Sequence, residues 1–429
     1  MEQLKPTRYQ LENVATGRIF EDKGWSLTDP AGEKPSLVRA VYETKEFEPL
    51  ERDDMYRYAK WLPVKRALKG AYGPVTWKSE ALARELGLDK LYITFTGWFP
   101  ERGAKVATCS FKATEAYSVC ARLPRKTDKI LVVQSAGNTA RAFAQVCSDN
   151  NIPLVICIPK DNVDALWFMK KLRPCVKILA TPSGTDYFDA ISLGEKLCMA
   201  ERYLAEGGAK NVARRDGMGT TLLSAVETIG QLPDAYFQAV GSGTGTIAVW
   251  ENNLRLIADG RYGSKKIRLY PSVNAPFTLM FDSWKAGSRA LVPITPEESR
   301  NKVAEINAKV LSNRKPPYSL SGGLFDALSD SHGDMYKVTN EDLLFWQRRF
   351  HALEGVDIHP AAAVATASLY QAVKAGDVRK DEIIMLNVTG GGEEKAKSHG
   401  YYMAMPDLVL SPALTEDEII SQVDHLFGF

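Results

Sequence analysis

Residues 129–159 read KILVVQSAGNTARAFAQVCSDNNIPLVICIP, and this stretch decides the fold class. KILVVQ (129–134) and PLVICIP (153–159) are short and mostly apolar, and the segment between them, TARAFAQVCSDN (139–150), has the composition of a helix. Short apolar strands that alternate with helices form parallel sheets, in which both faces of each strand are buried. The stretch therefore predicts a doubly wound α/β fold.

The same alternation extends in both directions along the chain. Strands are expected at 91–97, 176–181, 235–240, 266–271 and 382–388, and helices at 163–172, 186–206, 219–230, 340–352 and 360–375. This pattern predicts two parallel-sheet lobes, a large lobe formed by 73–112 and 206–429 and a small lobe formed by 113–205. Residues 1–60 are polar and mixed, with few clear periods, and we expect residues 1–72 to form an N-terminal extension.

Composition narrows the class of protein. The 429 residues carry a net charge of +2, so the chain as a whole has no strong electrostatic attraction to nucleic acid or to a membrane surface. No apolar run approaches the ~20 residues that cross a bilayer, and the N-terminus has no signal-peptide pattern, so a cytoplasmic protein is expected. Six cysteines without a C-x-x-C pair and five distant histidines predict reduced thiols and no metal site.

A loop of small residues follows the strand at 129–134. It consists of Ser135, Ala136, Gly137, Asn138 and Thr139 and leads directly into a helix. Ligands of doubly wound sheets bind beyond the carboxyl ends of the strands, and the free N–H groups of a helix N-terminus suit a carboxylate or a phosphate. Taken alone, the loop is more typical of a strand–helix turn with Asn or Thr as N-cap.

A glycine-rich loop follows the strand at 235–240. Its residues are Gly241, Ser242, Gly243, Thr244 and Gly245, and a helix comes next. Glycines let a phosphate approach the backbone closely, and the helix dipole favours the anion. A dinucleotide site would need a glycine at 246 and an acid after the next strand, but Thr246 and the sequence RLYPS stand there. We therefore favour a cradle for a single phosphate.

Two further residues complete the candidate set. Thr389 closes the strand at 382–388 and precedes three glycines, and Lys112 stands at the start of a helix in the sequence TCSFK. In isolation, the first is compatible with an ordinary glycine turn and the second with a solvated lysine.

Taken together, these pieces resemble the fold type II family of pyridoxal-phosphate (PLP) enzymes, to which the tryptophan synthase β-subunit and threonine synthase belong. The family's elements occur in family order: Ser110-Phe111-Lys112, the loop at 135–139, the glycine loop at 241–245, and Thr389. The segments PERGAKVATCSFKATEA, GGAKNVARRDGMGTT and PDAYFQAVGSGTGTIAVWE are similar to the cysteate synthase family, threonine-synthase relatives that make L-cysteate from O-phospho-L-serine and sulfite. The N-terminal segment departs from the family, because it lacks the Cys-x-x-Cys pair that some members carry there.

The resemblance implies roles for individual residues. Lys112 would hold PLP covalently and then act as acid and base at the substrate Cα. Asn138 would donate to the 3′-oxygen of the cofactor, and Thr389 would face its pyridine nitrogen. The cofactor phosphate would bind Gly241, Ser242, Gly243, Thr244 and Gly245, and the substrate carboxylate would bind Ser135, Ala136, Gly137 and Thr139. Arg102, Lys105 and Arg214 are the predicted cations for the substrate phosphate and sulfite.

Two alternatives to a cysteate synthase are compatible with these motifs. Threonine synthase, or another β-replacement enzyme with a different nucleophile or phospho-amino acid, has the same motifs. A non-catalytic PLP-binding sensor of the same fold is a third reading. The resemblance also implies a homo-oligomer, a dimer or a trimer.

Overall fold

The computed structural model describes residues 4–135, 137–185 and 187–429. In chain order, the strands are β1 (Tyr9–Asn13), β2 (Ile19–Phe20), β3 (Val38–Tyr42), β4 (Val75–Lys78), β5 (Lys90–Phe95), β6 (Trp98–Phe99), β7 (Ala104–Lys105), β8 (Ile130–Gln134), β9 (Leu154–Pro159), β10 (Trp167–Phe168), β11 (Val176–Thr181), β12 (Tyr203–Ala205), β13 (Ala235–Ala239), β14 (Arg268–Asn274), β15 (Tyr336–Val338), β16 (Ile383–Val388), β17 (Tyr402–Met403) and β18 (Leu408–Val409).

The helices follow the alternation expected of a doubly wound fold. In chain order, they are α1 (Ala81–Leu86), α2 (Lys112–Arg122), α3 (Asn138–Asn150), α4 (Tyr187–Leu197), α5 (Val212–Ile229), α6 (Thr244–Asp259), α7 (Leu279–Lys285), α8 (Pro296–Glu305), α9 (Leu324–Ser331), α10 (Asn340–Glu354), α11 (Pro360–Ala375), α12 (Glu393–Ser398) and α13 (Glu416–Phe427). Short 3₁₀ turns lie at Met55–Trp61, Pro100–Arg102, Lys160–Ala165, Gly208–Lys210 and Lys309–Leu311.

The large lobe is built on a sheet with the strand order β15-β14-β13-β16-β5-β4. Its strands are parallel except for β4, which pairs antiparallel with β5 at one edge. Every residue of β16, IIMLNV, is buried, as expected of a central parallel strand covered on both faces. The carboxyl ends of β13 and β16 lie side by side, because Phe237 pairs with Leu386. The glycine loop and Thr389 therefore leave the sheet at the same edge.

The small lobe is built on a parallel sheet with the order β12-β8-β9-β11-β18. All six residues of β9, LVICIP, are buried. The β8–α3–β9 unit thus forms as the opening stretch of sequence predicts, and the loop after β8 lies at the carboxyl edge of this sheet.

The C-terminal segment differs from the division of the chain that the sequence suggested. Residues 206–429 were assigned there to the large lobe, but β18 pairs with β11 of the small lobe. Ile419 and Val423 of α13 are fully buried in the same apolar cluster as residues of β8, β9 and α4. The segment belongs to the small lobe because its apolar side chains are buried against those of α4 and the small sheet.

The helix expected at 163–172 is also replaced by other structure. Lys160–Ala165 forms a 3₁₀ turn, and β10 follows it. Trp167 and Phe168 pair antiparallel with Met403 and Tyr402 of β17, so a partner more than two hundred residues away overrides the helical pattern.

The N-terminal extension is a folded part of the molecule. β1 lies between β2 and β3 in an antiparallel sheet. Tyr42 of β3 donates to Asp216 Oδ2 of α5 (2.6 Å), and Tyr56 donates to the carbonyl of Tyr117 in α2 (3.1 Å). The extension thus packs behind α2 and α5, the helices that carry Lys112 and Arg214. No helix in the described ranges is long and apolar enough to cross a membrane.

Candidate active site

Lys112 is placed by a pairing between its own loop and the loop that follows β16. The amide of Phe111 donates to the carbonyl of Thr389 (2.9 Å), and the amide of Gly391 donates to the carbonyl of Cys109 (3.1 Å). Ser110 and Gly390 form an antiparallel bridge between these two bonds. Lys112 begins α2 immediately afterwards, so its backbone lies at the carboxyl edge of the large sheet, beside Thr389.

The amine of Lys112 lies in a mostly enclosed, charged environment. Its side chain is 22% exposed, and Nζ lies 3.4 Å from Glu115 Oε2 and 4.6 Å from the centre of the Phe111 ring. Burial lowers the pKa of Lys112, the charge of Glu115 opposes that shift, and the charge of Arg214 adds to it. The net effect is a lowered pKa, so at a given pH a larger fraction of Lys112 is uncharged than of a solvated lysine.

Glu115 holds an ion-pair network beside this amine. Arg214 donates from Nη2 to Glu115 Oε1 (2.6 Å) and from Nε to Oε2 (3.1 Å), and Thr139 Oγ1 donates to Oε1 (3.0 Å). Burial alone would raise the pKa of Glu115, but Arg214 and Lys112 outweigh it and hold that pKa below its usual range. Arg214 also donates from Nη1 to Glu206 Oε2 (2.8 Å).

The loop at 135–139 faces this network from the small lobe. Arg141 donates from Nη2 to Asn138 Oδ1 (3.1 Å), which leaves the NH₂ of Asn138 as the donor for a ligand. The amide of Gly137 donates to Ser135 Oγ (3.3 Å), and the hydroxyl of Thr139 donates to Glu115. Ala136 lies outside the described residues.

The glycine loop has the shape of an anion cradle. Gly243 has φ +80°, the left-handed conformation that favours glycine, and α6 begins at Thr244. A Cβ on Gly241 would lie 2.7 Å from the carbonyl oxygen of Val310, and one on Gly245 would lie 2.7 Å from Gln238 Nε2. Ser242 Oγ and Thr244 Oγ1 are 2.8 Å apart. Conformation thus favours glycine at position 243, and close contacts favour it at positions 241 and 245.

These residues fit pyridoxal phosphate. The first turn of α6 has amide groups without intrahelical acceptors, and the hydroxyl of Thr246 in that turn is buried without a partner among the described residues. Both are suited to a phosphate. Lys112 supplies an amine of lowered pKa, and Asn138 and Thr389 supply neutral polar groups at the edge where the ring would lie.

The other two predicted cations, Arg102 and Lys105, contact aromatic rings. Arg102 and Lys105 are exposed on the β6–β7 hairpin. The guanidinium of Arg102 lies 5.2 Å from the ring centre of Trp77, and Lys105 Nζ lies 6.0 Å from that of Tyr72. The structure brings Arg214 to Lys112 through Glu115, but the contacts of Arg102 and Lys105 are with these aromatic rings.

Sequence reasoning missed Glu115 and Glu206. The signal for Glu115 was present, because a residue three positions after Lys112 lies on the same face of a helix. Glu206 had no such signal, since it lies in a loop before α5 and reaches the site only through the tertiary fold. Within the described ranges, no cluster of His, Cys, Asp and Glu could hold a metal ion.

Known proteins resemble this chain in sequence and in fold. A family model described as pyridoxal-phosphate dependent enzyme matches residues 76–390. Cysteate synthase of Methanosarcina mazei is 47% identical over 391 residues, which cover 91% of this chain and 93% of that protein. Cysteate synthase of Methanoculleus marisnigri is 44% identical over 390 residues, with 91% of this chain and 90% of that protein covered.

Solved structures agree on the fold. Maize serine racemase matches with a TM-score of 0.55 at 17% identity, covering 75% of this chain and 89% of that chain. Threonine deaminase isoform 2 of Solanum lycopersicum matches with a TM-score of 0.51 at 17% identity, covering 76% and 88%. At this identity the likeness shows the fold alone.

The comparisons confirm the predicted α/β fold type II architecture and the predicted dependence on PLP. The identity to the curated relatives extends over nine-tenths of the chain, well beyond the motifs that first indicated the resemblance. This chain belongs to the cysteate synthase family of pyridoxal-phosphate-dependent enzymes.

Proposed function

We propose that this enzyme replaces the phosphate of O-phospho-L-serine by sulfite and releases L-cysteate and phosphate. The observation that carries the proposal is the 47% identity over 391 residues to a cysteate synthase, combined with the PLP-enzyme motifs at Lys112, 135–139, 241–245 and Thr389. The Cβ–O bond of the ester breaks with its electron pair on phosphate, and a Cβ–S bond forms from the sulfur lone pair of sulfite. The exchange is redox-neutral and needs no further reactant.

In this proposal, Lys112 holds the cofactor covalently and later moves a proton. PLP, when bound, supplies the electron sink that weakens the Cα–H bond of the amino acid. The released amine of Lys112 takes the Cα proton and returns it after sulfite has added. A base must be uncharged, and the lowered pKa of Lys112 favours that form.

Neutral groups and helix termini would orient the ligands. The amides of the loop at 135–139 and of the start of α3 suit the substrate carboxylate. Asn138 would donate to the 3′-oxygen of the cofactor, and the glycine loop would hold its phosphate. Thr389 would offer the pyridine nitrogen a hydroxyl rather than a carboxylate, an environment that would favour elimination and replacement over transamination.

The leaving phosphate and the incoming sulfite need positive charge. The positive charge of Arg214 is already neutralised by ion pairs with Glu115 and Glu206. Arg214 would therefore orient an anionic ligand more than it would attract one. The roles of Arg102 and Lys105 as the further cations stay part of the proposal. Their position on an exposed hairpin is compatible with a contact to a ligand that enters from solvent.

The experiment is an assay of the PLP-loaded protein with O-phosphoserine and sulfite. We expect cysteate by mass spectrometry and an equal amount of phosphate. Parallel incubations replace sulfite by sulfide, or phosphoserine by phosphohomoserine. Product formation only in one of these parallel incubations would overturn the assignment in favour of another β-replacement enzyme or a threonine synthase. Absorbance of the bound cofactor without phosphate release under any condition would favour a sensor.

The predicted homo-oligomer stays a prediction. Size-exclusion chromatography with light scattering on the PLP-loaded protein measures it directly.

A further inference from the structure

Glu115 connects three parts of the site that are far apart in the chain. Its carboxylate contacts Lys112 in its own helix, Thr139 at the start of α3, and Arg214 in α5. The Glu115 side chain has no exposed surface, and that of Arg214 is 14% exposed. A buried carboxylate in this position affects every group that touches it, because water screens little of its charge.

The contacts also form a balanced set of charges. Glu115 and Glu206 supply two negative charges, and Arg214 supplies one positive charge that pairs with both of them. A protonated Lys112 supplies the second positive charge, 3.4 Å from Glu115. When Lys112 is uncharged, the two carboxylates face a single positive charge, and this excess favours protonation of Lys112 and of Glu206. Burial adds to that effect at Glu206, whose pKa is raised, and opposes it at Lys112, where the direct contact with Glu115 favours the charged amine.

We propose that Glu115 is a positioning residue that sets the proton affinity of Lys112 and ties the substrate-carboxylate loop to the catalytic helix. This inference rests on the proposed function only for the proton transfer at Cα. Its first part is measured without any substrate, so a failure of the proposed function and a failure of this inference are distinguishable.

Groups on several elements face Lys112. Glu115 lies on α2, Arg214 on α5 and Glu206 in the loop before α5. Tyr187 on α4 also faces Arg214 and both carboxylates, and burial raises the pKa of its phenol, so it stays neutral near pH 7. Of these groups, Glu115 has the direct hydrogen-bond contact with Lys112 Nζ.

The test compares Glu115→Gln with Glu206→Gln in the PLP-loaded protein. The Gln variants keep the size of the side chain and remove one negative charge. We expect the pH midpoint of the visible band of the lysine-linked cofactor to fall in Glu115→Gln by about one to three units, the range for loss of an opposite charge at this distance. Glu206→Gln, which contacts Arg214 rather than Lys112, should give a smaller fall.

Thr139→Val tests the second part of the proposal. It removes the hydroxyl that donates to Glu115 Oε1 (3.0 Å) and accepts from Arg214 Nη2 (3.2 Å), without a change of charge. We expect an unchanged band midpoint and a higher KM for phosphoserine at nearly constant kcat, since the carboxylate loop loses its tie to α2. A shifted midpoint in this variant would contradict the charge argument.

Glu115→Asp covers the case in which Glu115→Gln does not fold. It keeps the charge but moves it away from Lys112, so the midpoint should fall by less than in the Gln variant. A wild-type midpoint in whichever variant folds overturns the proposal. Loss of the folded state in both variants also overturns it, because Glu115 would then be a purely structural residue.

Discussion

At the scale of single residues, opposing effects act on the pKa of the Lys112 amine. Burial and Arg214 lower its pKa, and Glu115 raises it. A base for Cα must lose its proton easily and regain it, so a balance of this kind suits the proposed reaction better than full burial or full exposure would. Lys112 itself was predictable, because its motif is local. The balance was not, because Glu206 and Arg214 reach α2 only in the folded chain.

Lys112→Ala should abolish the visible band of the bound cofactor and lower kcat/KM by at least about 10²–10⁴-fold, the usual contribution of a positioned acid or base. Absorbance after dialysis and the phosphate-release assay measure the two effects. Lys90→Ala is the matched control, since Lys90 is exposed at the amino end of β5, away from the carboxyl edge of the sheet, and this variant should keep both the band and the activity. Retained colour in Lys112→Ala would remove this residue from the site.

Asn138→Asp tests the orientation of the Asn138 amide. The new carboxylate can still accept from Arg141, but it has lost the NH₂ donor that we assign to the cofactor oxygen. We expect a loss of activity of about 10-fold or more, equivalent to ~1.4 kcal/mol or more, with unchanged circular dichroism. Wild-type kcat/KM would show that the donor end of Asn138 does not face the ligand.

At the scale of elements, the strand ends carry most of the information that the sequence contains. The loops after β8, β13 and β16 were predictable because buried strands and small-residue turns are local patterns. The segment at 163–172 was predicted as a helix and forms a 3₁₀ turn and β10 instead. Its partner β17 lies far along the chain, and no local pattern identifies such a pairing.

Gly241→Ala tests the close packing of the glycine loop. The added Cβ would lie 2.7 Å from the carbonyl oxygen of Val310, a backbone atom, so the loop or the segment around Val310 must shift. We expect a Kd for PLP at least about tenfold higher, since a displacement that costs ~1.4 kcal/mol of binding free energy has this effect.

Gly230→Ala is the control for this experiment. Gly230 has φ +80° at the end of α5 and open space around it, so alanine there causes backbone strain far from the cradle. It should lower the stability by about 1 kcal/mol and leave the Kd for PLP unchanged. Equal cofactor affinities in the two variants would contradict the assignment of the loop.

At the scale of the whole molecule, the two ends of the chain support the two sides of the site. The N-terminal sheet packs behind α2 and α5 through Tyr42 and Tyr56. The C-terminal segment returns to the small lobe, where β18 extends the sheet and α13 packs beside α4. Neither arrangement was predictable, because each depends on contacts between segments separated by most of the chain. The proposed catalytic lysine and the proposed substrate loop are thus supported by elements that contribute none of the proposed site residues.

Ile419→Ala should therefore destabilise the protein without an effect on the chemistry. Ile419 is fully buried between α13 and the small sheet, and removal of its side chain leaves a cavity there that costs about 2–5 kcal/mol. Urea unfolding measures the loss of stability, and kcat at 25 °C should stay at the wild-type value, because the apolar cluster around Ile419 contains none of the proposed site residues. Gln422→Ala, on the exposed face of α13, should change the stability by less than ~0.5 kcal/mol. A wild-type unfolding midpoint for Ile419→Ala would show that α13 does not pack on the small lobe in solution.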